Sequence, residues 1–237
     1  MKAKQSAPTL AGQMVRLLAL FNLWLAIAVA LSAQASALDS SDAAPIRIVA
    51  FGDSLTAGYR LKPSEAFPVQ LAAALKAKGY NVEVANAGVS GDTTAAGLAR
   101  LDWSVPDGTE AVILELGAND ALRGIAPNVT RTNLDAIVKK LRERKIEVLV
   151  AGMKAPKNLG DDYERQFEPI FVDLAEQYGA LRYPFFLDGV VLDAKLNLDD
   201  GMHPTGEGVG VIVSRILPTV EQLIERVRAK RPVLATP

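Results

Sequence analysis

The chain has a single histidine in 237 residues, His203, and this narrows the acid–base chemistry open to it. It sits in Asp199-Asp200-Gly201-Met202-His203-Pro204-Thr205, with Asp200 three residues earlier across a glycine. At that spacing a loop can turn the carboxylate onto one ring nitrogen and leave the other free to accept a proton. The plainer alternative is an Asp-Gly turn before a helix, with Pro204 or Thr205 at its start. A nucleophile suited to such a base is Ser54, in Gly52-Asp53-Ser54-Leu55, directly after an apolar segment. A tight turn there presents the hydroxyl while the backbone N–H points at the same spot. The same residues also read as an ordinary turn and helix cap. The glycine-flanked elbow G-x-S-x-G does not fit, because Thr56 stands where its second glycine belongs.

Two further residues suit the same chemistry. Gly88 follows a second apolar segment and lets a backbone N–H approach a ligand closely, and Asn119 follows a third and offers a side-chain NH₂. Each on its own is equally a turn or cap residue. With the Ser54 amide they form an expected set of oxyanion donors. No metal and no cofactor is expected: cysteine is absent, there is one imidazole, and neither H-E-x-x-H nor G-x-x-x-x-G-K-[ST] occurs.

These side chains need a frame. Five short apolar segments read as buried strands: Ile46–Phe51, Val82–Ala85, Ala111–Leu116, Ile146–Ala151 and Leu181–Phe186. Helical spacing appears between them, at Leu134, Ile137, Val138 and Leu141, and again from Tyr163 to Tyr178. Pro169 is expected to kink the latter stretch, and Pro218 to split the last helical region, Gly206 to Arg228, into two pieces. Strands alternating with helices imply a parallel sheet covered on both faces, with ligands bound beyond the carboxyl ends of its strands. Ser54, Gly88 and Asn119 all fall at that edge.

Taken together, GDSL around Ser54, Gly88 in NAGVSGD, GAND around Asn119 and DGMHPT around His203 resemble the four ordered blocks of the SGNH (GDSL-type) hydrolase family. The resemblance runs from about Ile46 to about Leu217. It is strongest to the exported thioesterase, lysophospholipase and arylesterase branch, through FGDSLTAGY, NAGVSGDTTAAGLARL, LELGANDALRG and PFFLDGV. It implies an α/β fold, a three-layer α/β/α sandwich with a five-stranded parallel flavodoxin-like sheet. It also implies Ser54 as nucleophile, His203 as base, Asp200 as its orienting acid, and an oxyanion hole from the Ser54 and Gly88 amides with the Asn119 side chain. The expected substrate is a small acyl ester or thioester cleaved through an acyl-enzyme. Two alternatives stay open: a glycan O-acetyl esterase or acyltransferase using the same centre, and a non-catalytic lipid-binding protein.

For substrate contact the sequence offers Asp120 and Ile125, which bracket a segment containing Gly124, and Met153 and Pro156 after the fourth strand. These suggest a partly apolar wall and a shallow, open groove that prefers short to medium acyl chains.

Composition sets the remaining bounds. The apolar fraction of 49% is ample for one domain with a sizeable core. Lys2, Lys4 and Arg16 precede an almost continuously apolar run over residues 17–33, and small residues follow at Ala33, Ala35 and Ala37. This reads as a signal peptide over residues 1–35, then one domain over residues 36–237, and a periplasmic or secreted product without stable membrane insertion after cleavage. An uncleaved anchor is the alternative. Removing those three basic residues makes a chain of net charge −1 more acidic, which argues against nucleic acid as a partner.

Overall fold

The computed structural model describes residues 44–231. The expected signal segment lies outside the described residues. No helix among the described residues is long and apolar enough to cross a membrane.

Five strands form one parallel sheet: β1 (Ile46–Gly52), β2 (Val82–Gly88), β3 (Ala111–Glu115), β4 (Glu147–Ala151) and β5 (Leu181–Tyr183), in the order β2-β1-β3-β4-β5. Every residue of β3 and β4 is buried, as continuous apolar runs covered on both faces require. The helices are α1 (Ser54–Ala57), α2 (Phe67–Ala77), α3 (Thr94–Ser104), α4 (Ala118–Leu122), α5 (Pro127–Glu143), α6 (Asp161–Phe167), α7 (Pro169–Tyr178) and α8 (Gly206–Arg228). Helices α2 and α8 pack together on one side, and α5 packs with α3, α6 and α7 on the other, giving the expected three-layer α/β/α arrangement. In this strand order β2 is added on one side of β1 and β3 on the other, so the crevice in which parallel sheets bind ligands lies between β1 and β3. Ser54 follows β1 and Asn119 follows β3, so both flank it.

Three elements depart from the sequence expectation. Strand β2 runs on to Gly88, in register with Gly52 of β1. Strand β5 stops at Tyr183, because Pro184 follows and has no N–H for a ladder, and its carbonyl crowds Gly152 instead. Pro169 does separate two helices, α6 and α7, but α8 is continuous through Pro218. An interior proline costs about 3 kcal/mol. Beyond it, Val220, Leu223, Ile224 and Val227 are buried in the core, at about 1.5–3 kcal/mol for each side chain of this kind. Burial therefore wins, and the helix stays in one piece.

Candidate active site

The register places Gly52 of β1 between Gly88 of β2 and Glu115 of β3 at the carboxyl edge of the sheet. The chain then turns sharply. Asp53 caps α1 by accepting the Leu55 N–H at 3.0 Å, and Ser54 opens that helix. Arg100, buried against the Phe51 ring, donates to the Gly52 carbonyl at 2.8 Å and to Asp92 at 2.5 Å, fixing the turn from the α3 side.

His203 reaches this turn from a hairpin-like loop. The Thr205 N–H donates to the Leu196 carbonyl at 2.8 Å and the Leu198 N–H to the His203 carbonyl at 2.7 Å, with Asp200 and Gly201 at the tip. Asp200 Oδ1 accepts the N–H groups of Met202 (2.9 Å) and His203 (3.0 Å). Its Oδ2 lies 2.8 Å from His203 Nδ1, and His203 Nε2 lies 2.9 Å from Ser54 Oγ. A carboxylate opposite Nδ1 fixes the proton there, so Nε2 accepts the Ser54 O–H. The two backbone N–H groups hold the Asp200 carboxyl down at about 2, and it stays ionised at any ordinary pH. The Tyr59 ring, with its centroid 4.6 Å from that of His203, covers the imidazole from the other side. The Arg60–Asp199 ion pair ties the segment after α1 to the same loop.

Ser54, His203, Asp200 and Asn119 thus share one edge, but Gly88 has a different part from the one expected of it. Its N–H donates to Asn86 Oδ1 at 3.0 Å and is not free for a ligand. A Cβ at this position would lie 2.3 Å from the Ala57 nitrogen, so the glycine is there to let β2 pass against the helix that carries Ser54. Gly91, three residues on, was not singled out from sequence. Its φ is +85° and its N–H has no acceptor among the described residues. The loop that carries it is held between the two donor strands: Val89 N–H donates to the Gly52 carbonyl, Thr94 N–H to Asp120 Oδ2, and Arg123 to the Gly91 carbonyl.

The expected substrate contacts also change. Asp120 is fully buried, where its carboxylate accepts from the Thr94 N–H (2.8 Å), the Thr94 hydroxyl (2.5 Å) and the Thr130 hydroxyl (3.2 Å), so it holds loops together and does not face a ligand. Met153 is 4% exposed and belongs to the core. Ile125, whose carbonyl accepts from the Tyr163 hydroxyl, and Pro156 are half-buried. None of the four lines the narrow depression at Ser54, which lies between Leu55, Gly58, Tyr59, Leu61, His203 and Pro204.

Sequence reading also missed what lies under Ser54. Glu115 is a single acid at the end of the apolar run AVILE, and it is completely buried. Its Oε2 accepts the Thr56 hydroxyl at 2.7 Å and the Asp53 N–H at 3.3 Å, while Oε1 has no partner among the described residues. Burial, then the neighbouring Asp53 charge, pushes its carboxyl well above the usual range, toward the neutral acid.

Comparison with known proteins shows which family the chain resembles. A model described as the GDSL-like Lipase/Acylhydrolase family matches residues 50–211. The chain is 37% identical over 174 residues to an arylesterase of Vibrio mimicus, spanning 72% of this chain and 86% of that protein. It is 34% identical over 183 residues to "Thioesterase 1/protease 1/lysophospholipase L1" of Escherichia coli K12, spanning 77% and 86%. The crystal structure of AlinE4, a SGNH-hydrolase family esterase, superposes with a TM-score of 0.66 at 46% identity over 77% of this chain and 98% of that one.

Proposed function

The chain belongs to the GDSL-like lipase/acylhydrolase family and is an ester hydrolase; we propose that Ser54 is its nucleophile, His203 its base and Asp200 the acid that orients the base. The carrying observation is the unbroken line Asp200–His203–Ser54, at 2.8 and 2.9 Å. Ser54 Oγ attacks the acyl carbonyl as its proton passes to His203 Nε2, and the resulting imidazolium then protonates the leaving alcohol or thiol. Water repeats the cycle on the acyl-enzyme. The tetrahedral oxyanion rests on the Ser54 N–H and on the Asn119 NH₂, with the Gly91 N–H as third donor in place of Gly88. Each such donor contributes roughly 2.7–4 kcal/mol in the transition state.

The substrates are small oxyesters and thioesters, as the names of the arylesterase and thioesterase relatives suggest. The surface beside Ser54 offers only a narrow depression between Leu55, Tyr59, Leu61 and Pro204, and this favours short acyl chains over long ones. The test is kcat/KM for aryl esters and acyl thioesters graded from two to sixteen carbons. A maximum at short or medium length is expected, and rates rising steadily to the longest chain would contradict it. We also propose export, with residues 1–35 as a cleaved signal. N-terminal sequencing of the expressed protein should then give a start near Ser36 or Leu38, and recovery of Met1 on protein released only by detergent would point to an anchor.

A further inference from the structure

Asp53 is the buried residue between the nucleophile and the sheet, and the mechanism above does not use it. Its Oδ1 accepts the Leu55 N–H, and its Oδ2 accepts an N–H of the Asn119 side chain at 2.9 Å. We propose that Asp53, seated on the buried Glu115, is a positioning residue that fixes which end of the Asn119 amide faces the reacting carbonyl. The inference rests on the reading of Asn119 as an oxyanion donor.

The argument is one of donors and acceptors. A side-chain amide has two ends of nearly the same shape, and its neighbours decide which end points where. An ionised carboxylate only accepts, so Asp53 Oδ2 demands the NH₂ of Asn119 and takes one of its two hydrogens. The other hydrogen remains for the substrate oxyanion. Were Asp53 to present a donor, the amide would turn over and place its carbonyl oxygen at the hole, where it repels developing negative charge. Glu115 makes this site possible. Gly52 has no side chain, and a Cβ there would lie 2.5 Å from Glu115 Oε2, so the buried carboxyl fits directly beneath the turn. There it accepts the Asp53 N–H and the Thr56 hydroxyl, fixing the turn from below. Burial, then the Asp53 charge, favours the neutral acid at Glu115, so Asp53 is the member of the pair that ionises more readily.

The charged groups around Asp53 are Glu115 from β3, Asp92 from the loop after β2, Arg100 of α3 paired to that aspartate, and His203 from the catalytic loop. Burial raises the Asp53 carboxyl from 3.8 to about 6 against the pull of its hydrogen bonds to Leu55 and Asn119. Protonated Asp53 would be a donor, so acidification should disarm Asn119.

The test compares kcat and KM for a short-chain aryl ester in wild type, Asp53→Asn, Asn119→Ala and the double variant. Asp53→Ser is added because a serine still caps α1 at Leu55 but is too short for Asn119. Melting curves and phosphonate labelling of Ser54 report on folding. We expect Asp53→Asn and Asn119→Ala each to lower kcat by about 10²–10³-fold with KM within a few-fold. The double variant should be no slower than the slower single variant, because the two residues act through one hydrogen bond. Asp53→Ser should fall with Asp53→Asn. Below about pH 6, where Asp53 protonates, log kcat of wild type should fall more steeply with acidification than that of Asp53→Asn. Glu115→Gln, which keeps an acceptor for Asp53 and Thr56 and carries no charge, should lower kcat far less than Asp53→Asn does.

Folded Asp53→Asn or Asp53→Ser with near-wild-type kcat, beside a crippled Asn119→Ala, would overturn the inference and leave the oxyanion reading standing. Losses that multiply in the double variant would overturn it too. A Glu115→Gln loss as large as that of Asp53→Asn would show that the Glu115 charge is needed, against the neutral-acid part. Wild-type kcat in Asn119→Ala would remove the oxyanion reading, and this inference with it.

Discussion

Replacing Asp200 with asparagine removes one charge and turns one acceptor into a donor, and the structure determines which oxygen is lost. Oδ1 accepts two backbone N–H groups, from Met202 and His203, so the amide oxygen will keep that place. The NH₂ then falls opposite His203 Nδ1, at the 2.8 Å separation now occupied by a carboxylate oxygen. Two N–H groups cannot face each other at that distance. The imidazole must shift its proton to Nε2, which faces Ser54 Oγ, and it can no longer accept the serine proton. In the serine-protease triad the equivalent change lowers kcat by about 10⁴. That corresponds to about 5.4 kcal/mol of transition-state stabilisation at 1.36 kcal/mol per decade. Because the Asp200 carboxyl is held at about 2, its charge is present throughout the working range, and the loss should not recover between about pH 5 and 8. The assay is kcat on a chromogenic short-chain ester, with a melting curve to show that the variant is folded. A folded Asp200→Asn protein within about tenfold of wild-type kcat would refute the reasoning.

Three other outcomes follow from the same geometry. Gly88→Ala forces a Cβ to within 2.3–2.8 Å of Ala57 and Thr56 backbone atoms, so we expect a loss of about 1–3 kcal/mol by denaturant titration. A displacement of Ser54 by about 1 Å would lower kcat by about 10²-fold as well; unchanged stability would show that β2 yields freely. Pro218→Ala restores an N–H inside α8 and should raise stability by about 1 kcal/mol, seen as roughly 2–4 °C in the melting temperature, while a fall would mean that the proline stiffens the unfolded chain more than it disturbs the helix. Asp53 is raised from 3.8 to about 6, so in that window the native state holds a proton that the unfolded chain has lost, and stability falls as pH rises. Asp53→Asn lacks this effect. Its stability relative to wild type should therefore grow between about pH 3.5 and 7, by up to about 3 kcal/mol, and a difference independent of pH would contradict the shift.

What was legible in the sequence follows from what each signal depends on. Apolar runs such as IVAF and AVIL are local, and their burial on both faces gave away the parallel sheet. That Ser54, Asp200 and His203 could meet was legible because each side chain's chemistry is distinctive and each follows a strand or closes a loop. Gly88 misled because a glycine after a strand serves a ligand or a neighbouring helix equally well, and only the position of Ala57 and Asn86 tells which. Asp120 and Met153 follow strands as a binding residue would, yet Thr94 and Thr130 claim the first and the core claims the second. The Asp53–Asn119 contact joins residues 66 apart in sequence and has no local signature. Glu115 did leave one, a lone acid closing an apolar strand, which deserves reading as a buried functional group rather than a strand end. Pro218 shows the converse, a strong local signal outweighed by apolar burial on both sides of it.

The central claim is that Ser54 carries the acyl group. A fluorophosphonate ester mimics the attacked carbonyl and stays bonded to the serine that attacks it. Incubation of the wild-type protein with one equivalent, followed by peptide mass mapping, should place a single adduct on Ser54, with esterase activity falling in step with labelling and no adduct on Ser54→Ala. Full labelling of Ser54 with activity retained, or a folded Ser54→Ala protein that still hydrolyses the ester at more than a few per cent of the wild-type rate, would contradict it.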